Sequence, residues 1–333
     1  MKVLITGGAG YIGSTTASAL ERAGHVPIVL DSLVRGHPAF VRDRHFYRGE
    51  VADHLLLRRI LTEHPDIEAV LHMAARIEVP ESVREPIAYY RENVTGSLEL
   101  AAALAEVGPP RLVFSSSASV YAPSDDFEVA EDSPVAPASP YARTKRMMEE
   151  VLGDVARATS LRVVNLRYFN PIGSDPELTS GVYAREPSHV LGQLVMASRG
   201  VIDAFTLTGT DLPTRDGTGL RDFVHVWDLA EAHVRALERF DALVDETRPT
   251  TTINLGTGRG TTVRELVAAF ETVTGAHVPL REAGPRPGDL VGAFANVDRA
   301  ADVLDWRTRL SIEQGIDSAM AWAARREKVL GYP

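Results

Sequence analysis

A tyrosine and a lysine lie four residues apart, at Tyr141 and Lys145, directly after Ser139-Pro140. On a helix, this spacing places both side chains on one face. An ammonium group beside a phenol lowers the pKa of the phenol, which could then act as a general base near neutral pH. Lysine is scarce in this chain, with three among 35 basic residues, so a chance pairing with one of nine tyrosines is improbable. We predict a catalytic pair; the alternative is a solvated lysine beside a packing tyrosine.

A run of three serines, Ser115-Ser116-Ser117, follows the apolar segment Arg111–Phe114. The apolar segment is typical of a short buried strand, so the serines should lie where that strand ends. A serine hydroxyl at such an edge can share a proton with a substrate oxygen. We therefore expect Ser117 to complete a catalytic set with Tyr141 and Lys145.

A glycine-rich turn follows the first apolar segment, with glycines at Gly7, Gly10 and Gly13. The first permits a tight turn, the second lets a pyrophosphate approach the backbone, and the third allows a helix to pack on the sheet. The helix that follows would present free N–H groups and a positive dipole end to phosphates. Asp31 ends the next predicted strand, where a carboxylate binds ribose hydroxyls and repels a 2′-phosphate. The pattern predicts NAD as the cofactor, against the alternative of a simple glycine-rich turn.

The elements that must position these residues alternate between strands and helices. Apolar periodicity predicts strands at 2–6, 26–30, 69–72, 111–115 and 161–167, and helices at 12–23, 86–107 and 141–158. Alternation of this kind indicates an α/β fold with a doubly wound parallel sheet of the Rossmann type. After Asn170-Pro171 the sequence becomes rich in loops and turns. We expect an NAD-binding domain over 1–170, to which about 222–256 returns, and a smaller interlocked lobe formed by 171–221 and 257–333.

Composition excludes several classes of protein. The net charge of −10 does not suit a nucleic-acid-binding protein. The absence of cysteine excludes disulfide scaffolds and thiolate metal sites. His72, His225 and His233 form no metal-binding spacing, so we predict structural histidines and no metal. We see neither a signal peptide nor a membrane segment, which favours a cytoplasmic protein.

Beyond these patterns, the sequence resembles a known family. The blocks that carry the likeness lie along nearly the whole chain, and they are 114–121, 139–141, 167–171, 216–226, 254–258 and 286–289. Together with the glycine turn and the Tyr141–Lys145 pair, they resemble the extended short-chain dehydrogenase/reductase family and, within it, the UDP-glucose 4-epimerases.

The resemblance implies roles for individual residues. Tyr141 would be the base for a sugar hydroxyl, Lys145 its electrostatic partner and a ligand of the nicotinamide ribose, and Ser117 a proton-sharing hydroxyl. Further cofactor contacts would come from Tyr11, Ile12, Glu50, Val51, Met73, Ala74, Ala75, Asn93, Ser115, Tyr168 and Phe169. The nucleotide-sugar substrate would contact Ser117, Tyr141, Asn170, His189, Arg221, Arg286, Asp289 and Ala293.

The implied reaction is epimerisation at C4 of a UDP-hexose through a transient 4-keto sugar. UDP-glucose and UDP-galactose would be the substrates, with the N-acetyl analogues as candidates because Ala293 is small. The alternatives are a 4,6-dehydratase, a decarboxylase, a hexuronate epimerase or a non-catalytic NAD-binding regulator. His189 and Thr208 depart from the usual residues beside the nucleobase, which leaves the base open. The resemblance also implies a homodimer formed through the helices near 86–107 and 141–158.

Overall fold

A computed structural model describes residues 1–284 and 291–332. The strands of the described residues are β1 (Lys2–Thr6), β2 (Val26–Asp31), β3 (His45–Arg48), β4 (Ile67–His72), β5 (Arg111–Ser115), β6 (Glu128–Val129), β7 (Arg162–Tyr168), β8 (Asn170–Ile172), β9 (Phe205–Thr208), β10 (Leu220–Arg221), β11 (Phe223–His225), β12 (Thr250–Leu255), β13 (Thr261–Thr262), β14 (Leu280–Ala283) and β15 (Gly292–Ala295). The α-helices are α1 (Tyr11–Arg22), α2 (His54–Glu63), α3 (Val79–Arg84), α4 (Pro86–Tyr89), α5 (Gly96–Val107), α6 (Pro140–Ala158), α7 (Val190–Ser198), α8 (Val226–Glu238), α9 (Phe240–Leu243), α10 (Val263–Thr274), α11 (Asp298–Leu304) and α12 (Ile312–Leu330). Among these helices, we find none with the length and apolar character needed to cross a membrane.

Seven parallel strands form the central sheet, in the order β12-β7-β5-β4-β1-β2-β3. Successive residues of a strand point to opposite faces. Val3 and Ile5 therefore pack with α1 and α8, whereas Leu4 packs with α2, α5 and α6. Because both faces are covered, the inner strands such as β1 and β5 are largely apolar. The predicted doubly wound Rossmann sheet is confirmed.

Parallel pairing brings the carboxyl ends of the strands to one edge of the sheet. Thr6, Asp31, His72, Ser115 and Tyr168 are the last residues of β1, β2, β4, β5 and β7. Ligands of open α/β sheets bind at this edge. The strand order thus assembles, from segments far apart in sequence, the residues that the sequence analysis selected.

The rest of the chain builds a smaller layer beside this edge. β10, β13, β15 and β6 form a four-stranded sheet, and β9 pairs with β14. A separate apolar core lies between α7, α10 and α12 and includes Leu194, Phe270 and Ile316. The division into two interlocked lobes remains a proposal, with one change: Ala300, Leu304 and Trp306 pack against α8 and β12 in the core of the central sheet.

The predicted helix at 86–107 is not a single α-helix. Residues 86–89 form α4, residues 90–95 form a π-helical turn, and α5 begins at Gly96. Such turns often occur at functional sites. Here the turn contains Asn93, whose buried side chain forms hydrogen bonds with the backbone of Arg76 and the hydroxyl of Thr144.

Candidate active site

The start of α6 positions the tyrosine and the lysine. Ser139 caps the helix, because its hydroxyl accepts a hydrogen bond from the Ala142 amide at 3.2 Å. Pro140 occupies the first turn, where its missing N–H costs nothing. Tyr141 and Lys145 follow on the buried face of the helix, with 8% and 4% of their surfaces exposed. The predicted shared face is therefore present.

Ser117 lies beside the phenol of Tyr141. Burial raises the pKa of Tyr141, and a hydrogen bond with Ser117 opposes this effect. The hydroxyl of Ser117 also accepts hydrogen bonds from the amide and the hydroxyl of Ser119, at 3.2 and 2.9 Å. The structure therefore brings the Ser117 hydroxyl and the Tyr141 phenol together, as their predicted roles require.

Lys145 contacts the end of β5, and its predicted effect on the pKa of Tyr141 stays a prediction. Its Nζ donates to the carbonyl oxygen of Ser115 at 2.7 Å and lies 5.0 Å from the centroid of the Phe114 ring. Burial lowers the pKa of Lys145 itself to about 7, whereas the negative charge of Glu149 raises it. The ammonium charge is thus adjustable by its surroundings, which suits a group that acts on a neighbouring phenol.

The glycine turn leaves no room for side chains. Gly7 has φ of +76°, and a Cβ on it would lie 2.6 Å from the Ala74 nitrogen. A Cβ on Gly13 would lie 2.2 Å from the Gly7 carbonyl oxygen. Gly10 precedes α1 without a side-chain cap, so the first amides of that helix face the edge of the sheet. The turn therefore has the form of a phosphate-binding cradle.

Asp31 ends β2 beside this cradle. Its carboxylate accepts hydrogen bonds from the amides of Ala9 and Leu33, at 3.0 and 2.8 Å. Burial raises the pKa of Asp31, and these two amides oppose that effect. Each carboxylate oxygen can accept a second bond. The carboxylate is thus oriented at the place where adenosine ribose hydroxyls bind in Rossmann folds.

A buried network supports the loop after β4, which contains Met73, Ala74 and Ala75. His72 bonds through Nδ1 to the Thr6 hydroxyl at 2.7 Å and through Nε2 to the Ser97 hydroxyl at 2.7 Å. The amide group of Asn93 accepts from the Arg76 nitrogen and donates to the Arg76 oxygen and the Thr144 hydroxyl. These bonds fix the loop, and the prediction that Asn93 contacts the cofactor stays a prediction.

Tyr11, which begins α1, connects the cradle to the smaller lobe. Its hydroxyl donates to the carbonyl oxygen of Gly173 at 2.6 Å. Ile12, the next residue, packs against the core of the central sheet. A contact of Tyr11 with cofactor would therefore also be sensitive to the position of the smaller lobe.

Several other predicted cofactor residues lie around the same edge. Glu50 is exposed and Val51 half-buried, between β3 and α2. Tyr168 is the last residue of β7 and Phe169 follows it, beside the strand that ends at Ser115. These positions are those expected for walls of a cofactor cleft, and their roles remain predictions.

The predicted substrate residues come from the smaller lobe. Asn170 begins β8 and is exposed, and Arg221 ends β10, where its guanidinium donates to the carbonyl oxygens of Leu220 and Val291. His189 caps α7, because its Nδ1 accepts from the Gly192 amide at 3.1 Å. Arg286 and Asp289 lie outside the described residues.

Ala293 lies in β15, paired with Arg221 of β10. Its side chain packs against the cluster that contains Tyr121 and Phe169. Phe294, the next residue along the strand, points to the opposite face, as the alternation of a strand requires. Phe294 therefore does not fill the space beside Ala293.

The histidines have structural hydrogen bonds. His225 Nδ1 accepts from the Trp227 amide at 3.0 Å and Nε2 bonds to the Ser318 hydroxyl at 3.1 Å. His233 Nδ1 bonds to the Leu229 carbonyl oxygen at 2.8 Å. Burial lowers the pKa of both rings to about 4, so both are neutral at pH 7.

Sequence reasoning missed one buried group of the site. Glu149 lies one turn after Lys145 on α6 and forms an ion pair with Arg167 of β7, with 2.7 Å between Oε2 and Nη2. The spacing from Lys145 to Glu149 was a usable signal, since residues four apart share a helix face. The long-range partner could not be read from spacing.

The fold and this site define the class of protein. Residues 3–256 match the NAD dependent epimerase/dehydratase family, and the chain belongs to this family. The resemblance predicted from the sequence is confirmed.

The chain is similar in sequence and structure to particular members of the family over nearly its whole length. It is 41% identical to the UDP-glucose 4-epimerase of Rhizobium leguminosarum bv. trifolii, over 97% of each chain. Its structure is similar to that of UDP-glucose 4-epimerase from Stenotrophomonas maltophila with bound NAD and formylated UDP-arabinopyranose, with a TM-score of 0.93, 36% identity and coverage of 98% and 99%. The UDP-glucose 4-epimerase of Bifidobacterium longum in complex with NAD⁺ and UDP gives a TM-score of 0.92 and 31% identity, covering 99% of this chain and all of the other.

Proposed function

We propose that this chain interconverts UDP-glucose and UDP-galactose by NAD-dependent epimerisation at C4 of the hexose. One observation carries the proposal: Tyr141, with Ser117 beside its phenol, lies with Lys145 at the same sheet edge as a glycine cradle and Asp31. The similarity to UDP-glucose 4-epimerases over nearly the full chain supports it. In this proposal the 1–170 domain binds the cofactor and the smaller lobe binds the nucleotide.

The cofactor fits the residues present. Gly7, Gly10 and Gly13 would hold the pyrophosphate, because the tight backbone of this turn excludes a side chain at Gly7 and at Gly13. Asp31 would bind the adenosine ribose, and Lys145 the nicotinamide ribose. When bound, NAD would supply a hydride acceptor and donor for C4 and a positive charge that favours the phenolate.

The chain's own residues handle the proton. Tyr141 removes the proton of the 4-hydroxyl, Ser117 shares it through their hydrogen bond, and Lys145 stabilises the negative charge that develops. A 4-keto sugar results, and Tyr141 returns the proton after the sugar has turned over. The nucleotide diphosphate and its ribose would be held throughout by Asn170, Arg221, Arg286 and Asp289. The sugar could then rotate without release of the nucleotide.

A 4,6-dehydratase would need an acid and a base for the departing water. Ala118 and Ser119 follow Ser117, and the Ser119 hydroxyl is bonded to Ser117. Neither residue offers a carboxylate. This local chemistry favours epimerisation over dehydration.

The proposed function is tested by incubating the purified protein with UDP-galactose without added NAD and separating the products by chromatography. We expect conversion to UDP-glucose until both are present at equilibrium. UDP-N-acetylglucosamine, UDP-glucuronic acid and UDP-xylose should be included to distinguish the other family reactions. A decarboxylated or dehydrated product, or no reaction, would contradict the proposal.

Asp31→Ala should weaken NAD binding by about 10- to 100-fold, because a hydrogen bond to a charged group contributes about 1.5–3 kcal/mol. The purified wild type should release about one NAD per chain on denaturation, and the variant less. Asp66→Ala serves as the control. The Asp66 carboxylate bonds to Lys2, the first residue of β1, at the opposite end of that strand from the glycine cradle. Equal NAD content in Asp31→Ala and wild type would show that Asp31 does not bind the cofactor.

UDP-N-acetylgalactosamine should be a substrate, because in this proposal Ala293 borders the sugar and its small side chain leaves room for the acetamido group. Ala293→Tyr should lower kcat/KM for the N-acetyl sugar far more than for UDP-galactose, because the larger side chain would take up that room. Phe294→Leu is the control, since Phe294 points to the other face. If the wild type already rejects the N-acetyl sugar by more than about a thousandfold, another group closes the pocket.

We propose a cytoplasmic homodimer formed through α5 and α6. Leu98 and Met147 are 44% and 39% exposed on these helices, and Ala105 is exposed as well. Ala101, also on α5, is fully buried within the chain and therefore does not contribute to this surface. Association would cover the exposed apolar side chains.

Leu98→Glu should convert the dimer to a monomer at micromolar concentration, measured by light scattering. Val201→Glu is the matched control, because Val201 is 65% exposed but lies after α7 in the smaller lobe. A wild type that is already monomeric would contradict the proposed interface.

A further inference from the structure

Behind the reactive side chains lies a buried ion pair that the proposed chemistry does not use. Arg167 donates to both carboxylate oxygens of Glu149, at 2.8 Å from Nε and 2.7 Å from Nη2, and each side chain is 4% exposed. The guanidinium also lies 4.9 Å from the centroid of the Tyr121 ring. Two parallel bonds of this kind fix the orientation of the carboxylate.

The Glu149 carboxylate and the Lys145 ammonium bind the same short segment. Ser116 donates its hydroxyl to Glu149 Oε1 at 2.6 Å. Lys145 donates to the carbonyl oxygen of Ser115, the residue before. Tyr141, Lys145 and Glu149 are spaced four and four along α6, so one helix face holds all three serines at the end of β5.

We propose that Glu149 is a positioning residue for the epimerisation: its carboxylate anchors Ser116, which sets Ser117 opposite Tyr141, and it lies one helical turn from Lys145. The inference rests on the proposed function. Burial lowers the pKa of Lys145, and the charge of Glu149 opposes that effect. Arg167 in turn fixes the orientation of the carboxylate through two hydrogen bonds.

A purely structural role is the competing explanation. Desolvation offsets much of the attraction within a buried ion pair, so such a pair is weak evidence of stabilisation. Removing one partner nevertheless leaves a buried charge and destabilises the fold. The experiment must therefore separate positioning from folding.

Three variants separate the two functions of the carboxylate. Ser116→Ala removes the anchor and leaves the ion pair intact. Glu149→Gln keeps an oxygen for Ser116 but removes the charge. Glu149→Asp keeps the charge but shortens the reach to Ser116. Ser174→Ala is the matched control, since Ser174 is a buried serine whose hydroxyl donates to the Ser318 carbonyl oxygen in the smaller lobe.

We expect kcat for UDP-galactose to fall about 10-fold in Ser116→Ala and about 100-fold in Glu149→Gln, because misplacement by about 1 Å can cost about 10²-fold. KM and NAD content should stay within about twofold of wild type. Ser174→Ala should keep the wild-type kcat. The melting temperature of each variant gives the accompanying change in stability.

The pH profile of kcat separates the two explanations, because a loss of stability alone would not shift it. The charged and titratable groups around Lys145 are Tyr141 and Glu149 on α6, His72 on β4, and Arg167 and Tyr168 on β7. His72 is neutral, because burial lowers its pKa to about 3. Without the charge of Glu149, Lys145 loses its proton at lower pH, so the alkaline limb should move down by about one pH unit in Glu149→Gln. In Glu149→Asp the limb should stay.

The result that overturns the inference is equally specific. It is a kcat within twofold of wild type in Ser116→Ala, or an unmoved alkaline limb in a folded Glu149→Gln, with only the melting temperature lowered. If Glu149→Gln does not fold, Ser116→Ala still decides, because it leaves no buried charge unpaired. A wild type without epimerase activity would overturn the proposed function and this inference together.

Discussion

Replacing Tyr141 with phenylalanine should lower kcat by about 10²-fold or more while nucleotide-sugar binding survives. Tyr141 is 8% exposed and Ser117 lies beside its phenol, so phenylalanine fills the same space and removes only the oxygen. Because the proton is transferred in the chemical step, the loss should appear in kcat rather than in KM. Steady-state kinetics with UDP-galactose and binding of UDP by calorimetry measure the two quantities.

Tyr47→Phe is the matched control. Tyr47 lies in β3, the outermost strand of the sheet, and its hydroxyl bonds to Glu63 and His64 at the end of α2. This variant should retain the wild-type kcat. Turnover near the wild-type rate in Tyr141→Phe would remove Tyr141 from the chemical step.

Gly13→Ala should deprive the purified protein of most of its NAD. A Cβ at Gly13 would lie 2.2 Å from the Gly7 carbonyl oxygen and 2.9 Å from the Gly8 Cα, both of them backbone atoms that cannot swing aside. Either α1 or the cradle must shift, and the amides that would bind the pyrophosphate lose their alignment. NAD released on denaturation should fall from about one per chain to a small fraction, with activity falling in parallel.

Gly153→Ala controls for the substitution itself. Gly153 lies within α6, and the nearest atom to an added Cβ there is the flexible Arg157 Nη1 at 3.5 Å. Alanine favours a helix more than glycine does, so NAD content should be unchanged and stability equal or higher. Full NAD content in Gly13→Ala would show that the cofactor does not use this turn.

Local signals predicted much of the site. Ser139-Pro140 fixes where α6 begins, and the spacing of four then places Tyr141 and Lys145 together whatever the rest of the chain does. The spacing of the glycines likewise predicted the cradle, because a side chain at Gly7 or Gly13 would collide with the backbone.

Other features depend on tertiary contacts and could not be read locally. Arg167 of β7 meets Glu149 of α6 only because β7 lies beside β5 in the sheet. A π-helical turn occupies 90–95, where the sequence predicted a continuous α-helix. α11 packs on the central sheet, although it belongs to the segment 257–333 that was predicted to lie in the smaller lobe. The effect of Lys145 on Tyr141 was predicted from their spacing alone, whereas burial and the Ser115 carbonyl determine where the ammonium lies.

The contact between Tyr11 and Gly173 connects the predicted cofactor-binding and substrate-binding regions. It joins the first residue of α1 to the segment after β8, with 2.6 Å between the oxygens. Gly173 has φ of +87°, and a Cβ there would lie 2.7 Å from both His225 and Ser318. The close packing at this point places the two lobes in a defined relation at the edge where Tyr141 lies.

The most direct test of the central claim follows the hydrogen at C4. UDP-galactose carrying deuterium at C4 of the hexose is converted by the purified protein in ordinary water without added NAD, and the product is examined by NMR and mass spectrometry. The account predicts UDP-glucose that retains the deuterium at C4, because the same hydrogen leaves and returns during inversion. Loss of the label to solvent, or inversion at another carbon, would contradict it.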